Sequence, residues 1–167
     1  MRDLLPKHCN DIFVDASTDW GIIISGCCGK YYFQFAWAEL GIFHIDIISR
    51  KELFACLISL WCFAPEITIK YIVLYTDNSV AARWLSKGRS KHVKGNQFLA
   101  CFELQKYKLG CKISPRWLPG SKNYSADDLS RNKLPDWLRC GGVRRSCDLR
   151  EVAFNVNNAE VSWNELL

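Results

Sequence analysis

The chain has 167 residues, a net charge of +5, 49% apolar and 13% aromatic residues, enough to bury a core as one domain. No apolar run reaches the length of a membrane helix, and the first residues, MRDLLPKHCNDIFVD, lack the charged-then-apolar layout of a secretory leader. The nine cysteines include no Cys-x-x-Cys pair, so zinc sites and a disulfide framework give way to an expectation of buried free thiols in a soluble, intracellular, non-secreted protein.

Residues 1–10 are a lead-in. Asp11 to Ala16 (DIFVDA) predicts a strand, Asp19-Trp20-Gly21 a turn, Gly21 to Ser25 a second strand, and Gly26 to Lys30 (GCCGK) another tight turn. Tyr31 to Trp37 predicts a third, aromatic-rich strand, so the chain opens as an antiparallel meander. From Lys51 the period becomes helical, with Leu53, Phe54, Leu57, Ile58 and Trp61 on one side and Pro65 as the stop. Tyr71 to Tyr75 predicts a fourth strand, followed by a helix over about Asn78 to Lys87. A loop from Gly88 to Gly95 and a helix from about Asn96 to Leu109, ended by Gly110, come next. Cys111 to Leu118 alternates as a strand, and Pro115 assigns it to a sheet edge. Pro119-Gly120 turns the chain into a short helix near Ala126. Residues 11–135 thus read as one α/β domain with a mixed sheet, and 136–167 as a C-terminal tail or linker with no assigned fold.

Asp15 and Asp77 each end a predicted strand. If those strands are parallel neighbours, both carboxylates emerge at the carboxyl rim of the sheet, where open α/β sheets bind ligands. Glu52, in the first turn of the first helix, and Asp127, at the start of the last, can reach the same rim. Each acid alone reads as a turn former or cap: Asp77 before the helix at Asn78, Glu52 within a Ser49-x-x-Glu52 box. Ser125-x-x-Asp128 fits a second box, which leaves Asp127 rather than Asp128 as the fourth acid. Together the four repel one another, and hard oxygen ligands suit Mg2+ or Mn2+. Two such ions flanking a phosphodiester would activate water and steady the leaving oxygen.

Arg83, Lys87, Arg89, Lys91 and Lys94 form one basic cluster, and Arg139, Arg144, Arg145 and Arg150 a second. Such clusters are solvated faces or the footprint of a polyanion. Trp84 and Trp117 read as core.

FVDAS, HIDIISRKELFACL, YTDNSVAARWLSKGRS and LPGSKNYSADDLSRN, in that order over Asp11 to Asn132, resemble the ribonuclease H domain of retroelement reverse transcriptases. The likeness extends to tyrosine-recombinase retrotransposons and to the hepadnavirus polymerase. It implies a ribonuclease H-like fold, with five strands of which the first three are antiparallel. It implies a metal site for two ions of Mg2+ or Mn2+ on Asp15, Glu52, Asp77 and Asp127, and cleavage of the RNA strand of an RNA–DNA hybrid. It further implies a reverse transcriptase domain on the same polyprotein. Ser17, Asn78 and Ser79 would then meet sugar 2'-hydroxyls, and Arg83, Lys87, Arg89 and Lys91 phosphates. The competing expectation is a catalytically inactive module of the same fold that binds or connects.

Overall fold

In the computed structural model, residues 10–17, 22–41, 45, 47–68 and 70–166 are described. The lead-in up to residue 9 and the turn expected at Asp19-Trp20-Gly21 lie outside them. Three strands open the chain: β1 (Asp11–Ala16), β2 (Ile22–Cys28) and β3 (Tyr31–Ala36). They form the expected antiparallel meander, with Asp15 opposite Ser25 and Ser25 opposite Gln34. The β2–β3 turn is tighter than GCCGK suggests. Gly29, at φ 57°, makes the turn, whereas Gly26 stays in β2, where a Cβ would stand 2.5 Å from the Phe33 ring.

A short helix, α1 (Trp37–Leu40), precedes α2 (Ile48–Cys62). Next come β4 (Tyr71–Thr76), α3 (Ser79–Lys87), α4 (Val93–Leu109), β5 (Lys112–Trp117) and α5 (Tyr124–Ser130). β4 pairs in parallel with β1 on one side and β5 on the other. The chain ends in α6 (Asp136–Arg139), β6 (Val143–Arg144) and α7 (Leu149–Leu166), giving a six-stranded mixed sheet ordered β5-β4-β1-β2-β3-β6. β5 is the edge strand that Pro115 indicates. α4 starts three residues before Asn96, so Lys94 belongs to a helix rather than to the basic loop.

α2 is buried on nearly all sides from Lys51 to Cys62, as expected of a helix apolar around its circumference. It packs on β1 and β2 and against α3 and α4. Around it lie Ile12, Val14, Phe33, Leu74, Phe98 and Phe102, with the Phe54 and Phe98 rings 5.1 Å apart. A smaller cluster of Cys27, Leu129 and Leu138 occupies the other face of the sheet, under α5 and α6.

Three readings need correction. Among the described residues the sheet has six strands, not five. The described residues of the segment expected as a tail, 136–166, are folded: β6 pairs with β3 at Tyr31 and Tyr32, and α7 packs on α4 through Val152, Val156 and Ala159. Arg145 ties the segment down through an ion pair with buried Glu66, its guanidinium 4.8 Å from the Tyr31 ring. Seven described cysteines are free, but Cys28 is disulfide-bonded; no spacing in the sequence signals that pairing. No described helix is long and apolar enough to cross a membrane.

Because Val152 is fully buried, Val152→Asp should lower unfolding free energy by about 3 kcal/mol or more, the cost of an uncompensated buried charge. Urea melts measure it; a variant that melts like its parent would return residues 149–166 to the status of a tail.

Candidate metal centre

The β1–β4 register pairs Val14 with Thr76, so Asp15 and Asp77 leave adjacent parallel strands side by side. Strand alternation turns them toward α5, while Thr76 points the other way, into the core beside α2. Glu52 comes up from α2 and is 2% exposed. Its Oε1 accepts from the Ala16 backbone N–H at 2.9 Å and its Oε2 from Thr76 Oγ1 at 3.1 Å. Asp15, Glu52 and Asp77 bring one carboxylate oxygen each to within 4.8 Å of one another, a cluster that could hold a metal ion. Asp127, from α5, lines the same open cleft of about 270 Å3, together with Ser17, Asn78, Ser130 and Arg131.

α5 is pinned over the sheet by three side-chain bonds. Ser25 Oγ donates to the Ala126 carbonyl at 2.8 Å, Gln34 Nε2 to Leu129 at 2.9 Å, and Asn123 Nδ2 to Val14 at 2.9 Å. These bonds place Ser130 Oγ 2.6 Å from Asp15 Oδ2 and 2.7 Å from the Asp127 carbonyl, two acceptors that share its single proton. Arg131 Nε holds Asp127 Oδ1 at 3.0 Å. Asp77 is braced from β5: Trp117 Nε1 donates to its carbonyl at 3.1 Å. A Cβ on Gly120 would stand 3.2 Å from Asp77 Oδ2, so glycine there leaves the carboxylate its room.

The cluster is electrostatically unfavourable without a cation. Burial pushes Asp15 up from 3.8 to about 6; Asp77 and Asp127 push the same way, and the Ser130 hydrogen bond opposes them. Burial, then Asp15 and Asp77, hold Glu52 well above the usual carboxylate range. Burial and Asp127 raise Asp77. Two ordinary responses to such a site are to take up protons or to take up a cation.

All four predicted acids therefore line one cleft, with Ser17 and Asn78 beside them. Ser79 opens α3 on the exposed side, and Arg83, Lys87, Arg89 and Lys91 lie exposed on α3 and the loop after it, outside the cleft lining. The capping readings do not hold. Asn78, not Asp77, caps α3, its Oδ1 accepting from the Ala81 N–H at 2.9 Å. Ser49 lies inside α2, whose N-cap is Ile47, and Ser125 lies inside α5. Trp117 is 56% exposed rather than core, whereas Trp84 packs against the main cluster. In the second basic cluster Arg144 donates to the Gln34 carbonyl and Arg139 to that of Leu134, so with Arg145 these cations serve the fold.

Sequence reasoning missed Thr76 and Ser130. The available clues are that Ser130 follows Asp127 by three residues, on the same helix face, and that Thr76 precedes Asp77, on the opposite strand face. No family model, no curated protein and no solved structure matches this chain.

A carboxylate whose folded pKa is raised is most stabilising below its unfolded pKa, and the contribution is lost as pH rises through the folded value. For Asp15 the rise from 3.8 to about 6 corresponds to a loss on the order of 3 kcal/mol. In EDTA, the melting temperature should fall from about pH 4 to about pH 7, and Asp15→Asn should flatten that fall. Mn2+ should restore the parent at neutral pH. A parent whose melting temperature rises across this range contradicts the assignment.

Ser130→Ala should weaken Mn2+ binding by roughly tenfold or more by calorimetry, with Ser130→Thr retaining it, as for hydrogen bonds that orient metal ligands. Equal affinities in all three proteins would remove Ser130 from the site.

Proposed function

We propose that this chain is a metal-dependent endonuclease that hydrolyses the RNA strand of an RNA–DNA hybrid during reverse transcription. The carrying observation is the convergence of Asp15, Glu52 and Asp77 at the carboxyl rim of parallel strands, with Asp127 facing them across an open cleft. The donor set is all oxygen, which suits Mg2+ or Mn2+ and disfavours zinc. An enclosed pocket would fit a small metabolite; an open cleft with exposed cations beyond it fits a polyanion.

On this reading Asp15, Glu52, Asp77 and Asp127 hold two ions. When bound, these supply a water nucleophile at neutral pH and charge stabilisation on both oxygens of an in-line displacement. The chain does the rest. Ser130 ties one oxygen of Asp15, leaving the other for coordination, and Thr76 with the Ala16 N–H fixes the Glu52 carboxylate. The Trp117 indole holds the Asp77 backbone. Ser17, which is buried, and Asn78, whose Oδ1 caps α3, line the cleft and would be the groups to meet the sugar 2'-hydroxyls that distinguish RNA from DNA. Arg83, Lys87, Arg89 and Lys91 contribute phosphate contacts that set register without reading sequence. The domain would work inside the cell, beside a reverse transcriptase domain of the same polyprotein.

The test is cleavage of a labelled RNA–DNA hybrid. The parent with Mg2+ or Mn2+ should cut only the RNA strand, leaving 5'-phosphate and 3'-hydroxyl ends. Asp77→Asn should lower the rate by at least about 100-fold, the scale of losing a charge-stabilising group. A parent that binds hybrid tightly with either metal and leaves it intact would instead establish the inactive binding module.

A further inference from the structure

Strand alternation gives the sheet a second face, and only part of it is covered. α5, seven residues long, packs over β1 and β2. Beyond it, β4 and β5 turn Tyr71, Val73 and Tyr75, with Lys112, Ser114 and Arg116, to the same side, while Ile72, Leu74 and Ile113 face the core. In register, Tyr71 lies beside Lys112, and Arg116, Tyr75 and Phe13 form a row across three strands. The Phe13 and Tyr75 rings stack at 4.8 Å and 10°. Tyr71 is 67% exposed, with Lys112 Nζ 5.8 Å from its ring centre. Four residues of strand separate Tyr71 from Tyr75, about 13 Å.

Next to Phe13 the face opens into a cavity of about 320 Å3, bounded also by Cys27, Gly29, Lys122 and Tyr124. That volume is in the range of small-ligand sites. Tyr124 is 67% exposed at its mouth and Lys122 is exposed beside it.

We infer that this face is a second nucleic-acid site, which takes single-stranded RNA or DNA by stacking bases on Tyr71, Tyr75 and Tyr124 while Lys112, Arg116 and Lys122 hold phosphates. Charge and ring chemistry select this occupant. The three cations are exposed and form no ion pair among the described residues. Of the acids on this side, Asp11 lies where β1 begins and Asp15 and Asp77 at the far rim, while Asp127, Asp128 and Asp136 belong to α5 and α6 rather than to the open strands β4 and β5. Rings alternating with cations suit a base-and-phosphate polymer, since every base has a stacking face. A protein partner would favour a patch depleted in lysine. The site is separate from the acid cleft, and its binding needs neither a metal nor cleavage.

Anisotropy of fluorescent oligouridylate and oligothymidylate of about 12 nucleotides, measured on the full chain in EDTA, tests it. Both strands, or one of them, should bind. Tyr71→Ala should weaken binding about fivefold or more, and Tyr71→Ala with Tyr75→Leu tenfold or more, at unchanged melting temperature. Lys112→Ala should lower the salt slope by about 0.7. The Tyr71 and Lys112 variants, at exposed positions, keep the test decisive if Tyr75→Leu disturbs the fold. The inference is overturned if the parent binds neither strand. It is equally overturned if affinity survives in the Tyr71 and Lys112 variants and falls only in Arg89→Ala with Lys91→Ala. Self-association that Tyr71→Ala abolishes, with no change in oligonucleotide affinity, would assign the face to a second copy of the chain instead. Because divalent ions are absent, a negative result here leaves the nuclease reading standing, and an uncut hybrid leaves this site standing.

Discussion

Parallel pairing of β1 with β4 is the constraint on which the rest of the molecule depends. Hydrogen bonds between these strands set Val14 against Thr76, and the residue after each is an aspartate. In an antiparallel pair the two would leave at opposite rims. The parallel arrangement needs a crossover, and the crossover contains α2, buried against the sheet with Glu52 near its start. The fold thus brings three carboxyl groups from residues 15, 52 and 77 to one point. Core burial compels the convergence, since slipping the register by one residue would invert both faces of the sheet.

The supporting layer explains how such a site tolerates its own charge. Glu52 accepts from two donors and Asp15 from Ser130. Asn123, Gln34 and Ser25 fasten the short helix that carries Asp127 and Ser130. Each bond spans elements distant in the chain, so the carboxylates are held by the sheet and not by their own loops. Rigid placement of oxygen ligands is what a hard cation requires, and it is also what keeps buried acids from relaxing apart into water.

Much of this was legible because two periodicities are plain in the sequence. The apolar runs ending in Asp15 and Asp77 announced strand ends, and the switch to helical spacing after Lys51 placed Glu52 on the crossover. Asp127 was preferred to Asp128 through a Ser125-x-x-Asp128 capping box that the structure does not contain, yet it is Asp127 that lines the cleft. Capping logic misled, because a serine three residues before an acid looks the same whether it starts a helix or lies inside one, as Ser49 and Ser125 do. Trp117 was misread because aromatic bulk suggests burial, whereas its indole N–H is occupied at the surface by Asp77. The last thirty residues were opaque for a different reason. A two-residue strand is too short to alternate, and the stripe of Leu149, Val152, Val156 and Ala159, although at helical spacing, is carried by few and mostly small apolar residues, with Asn155, Asn157 and Asn158 on its other sides.

The two borders of the sheet carry a consequence for solubility. On the β5 side, Lys112 and Leu118 give their N–H groups inward to Lys70 and Thr76, so the ring nitrogen of Pro115, an odd number of residues from each, falls on the outer border. On the β3 side, β6 occupies the positions beside Tyr31 and Tyr32. One margin therefore lacks a donor in its middle and the other is already partnered where it begins. Borders interrupted by proline and charged by Lys112 and Arg116 on one side, and covered at Tyr31 and Tyr32 on the other, offer less template for edge-to-edge growth into fibrils.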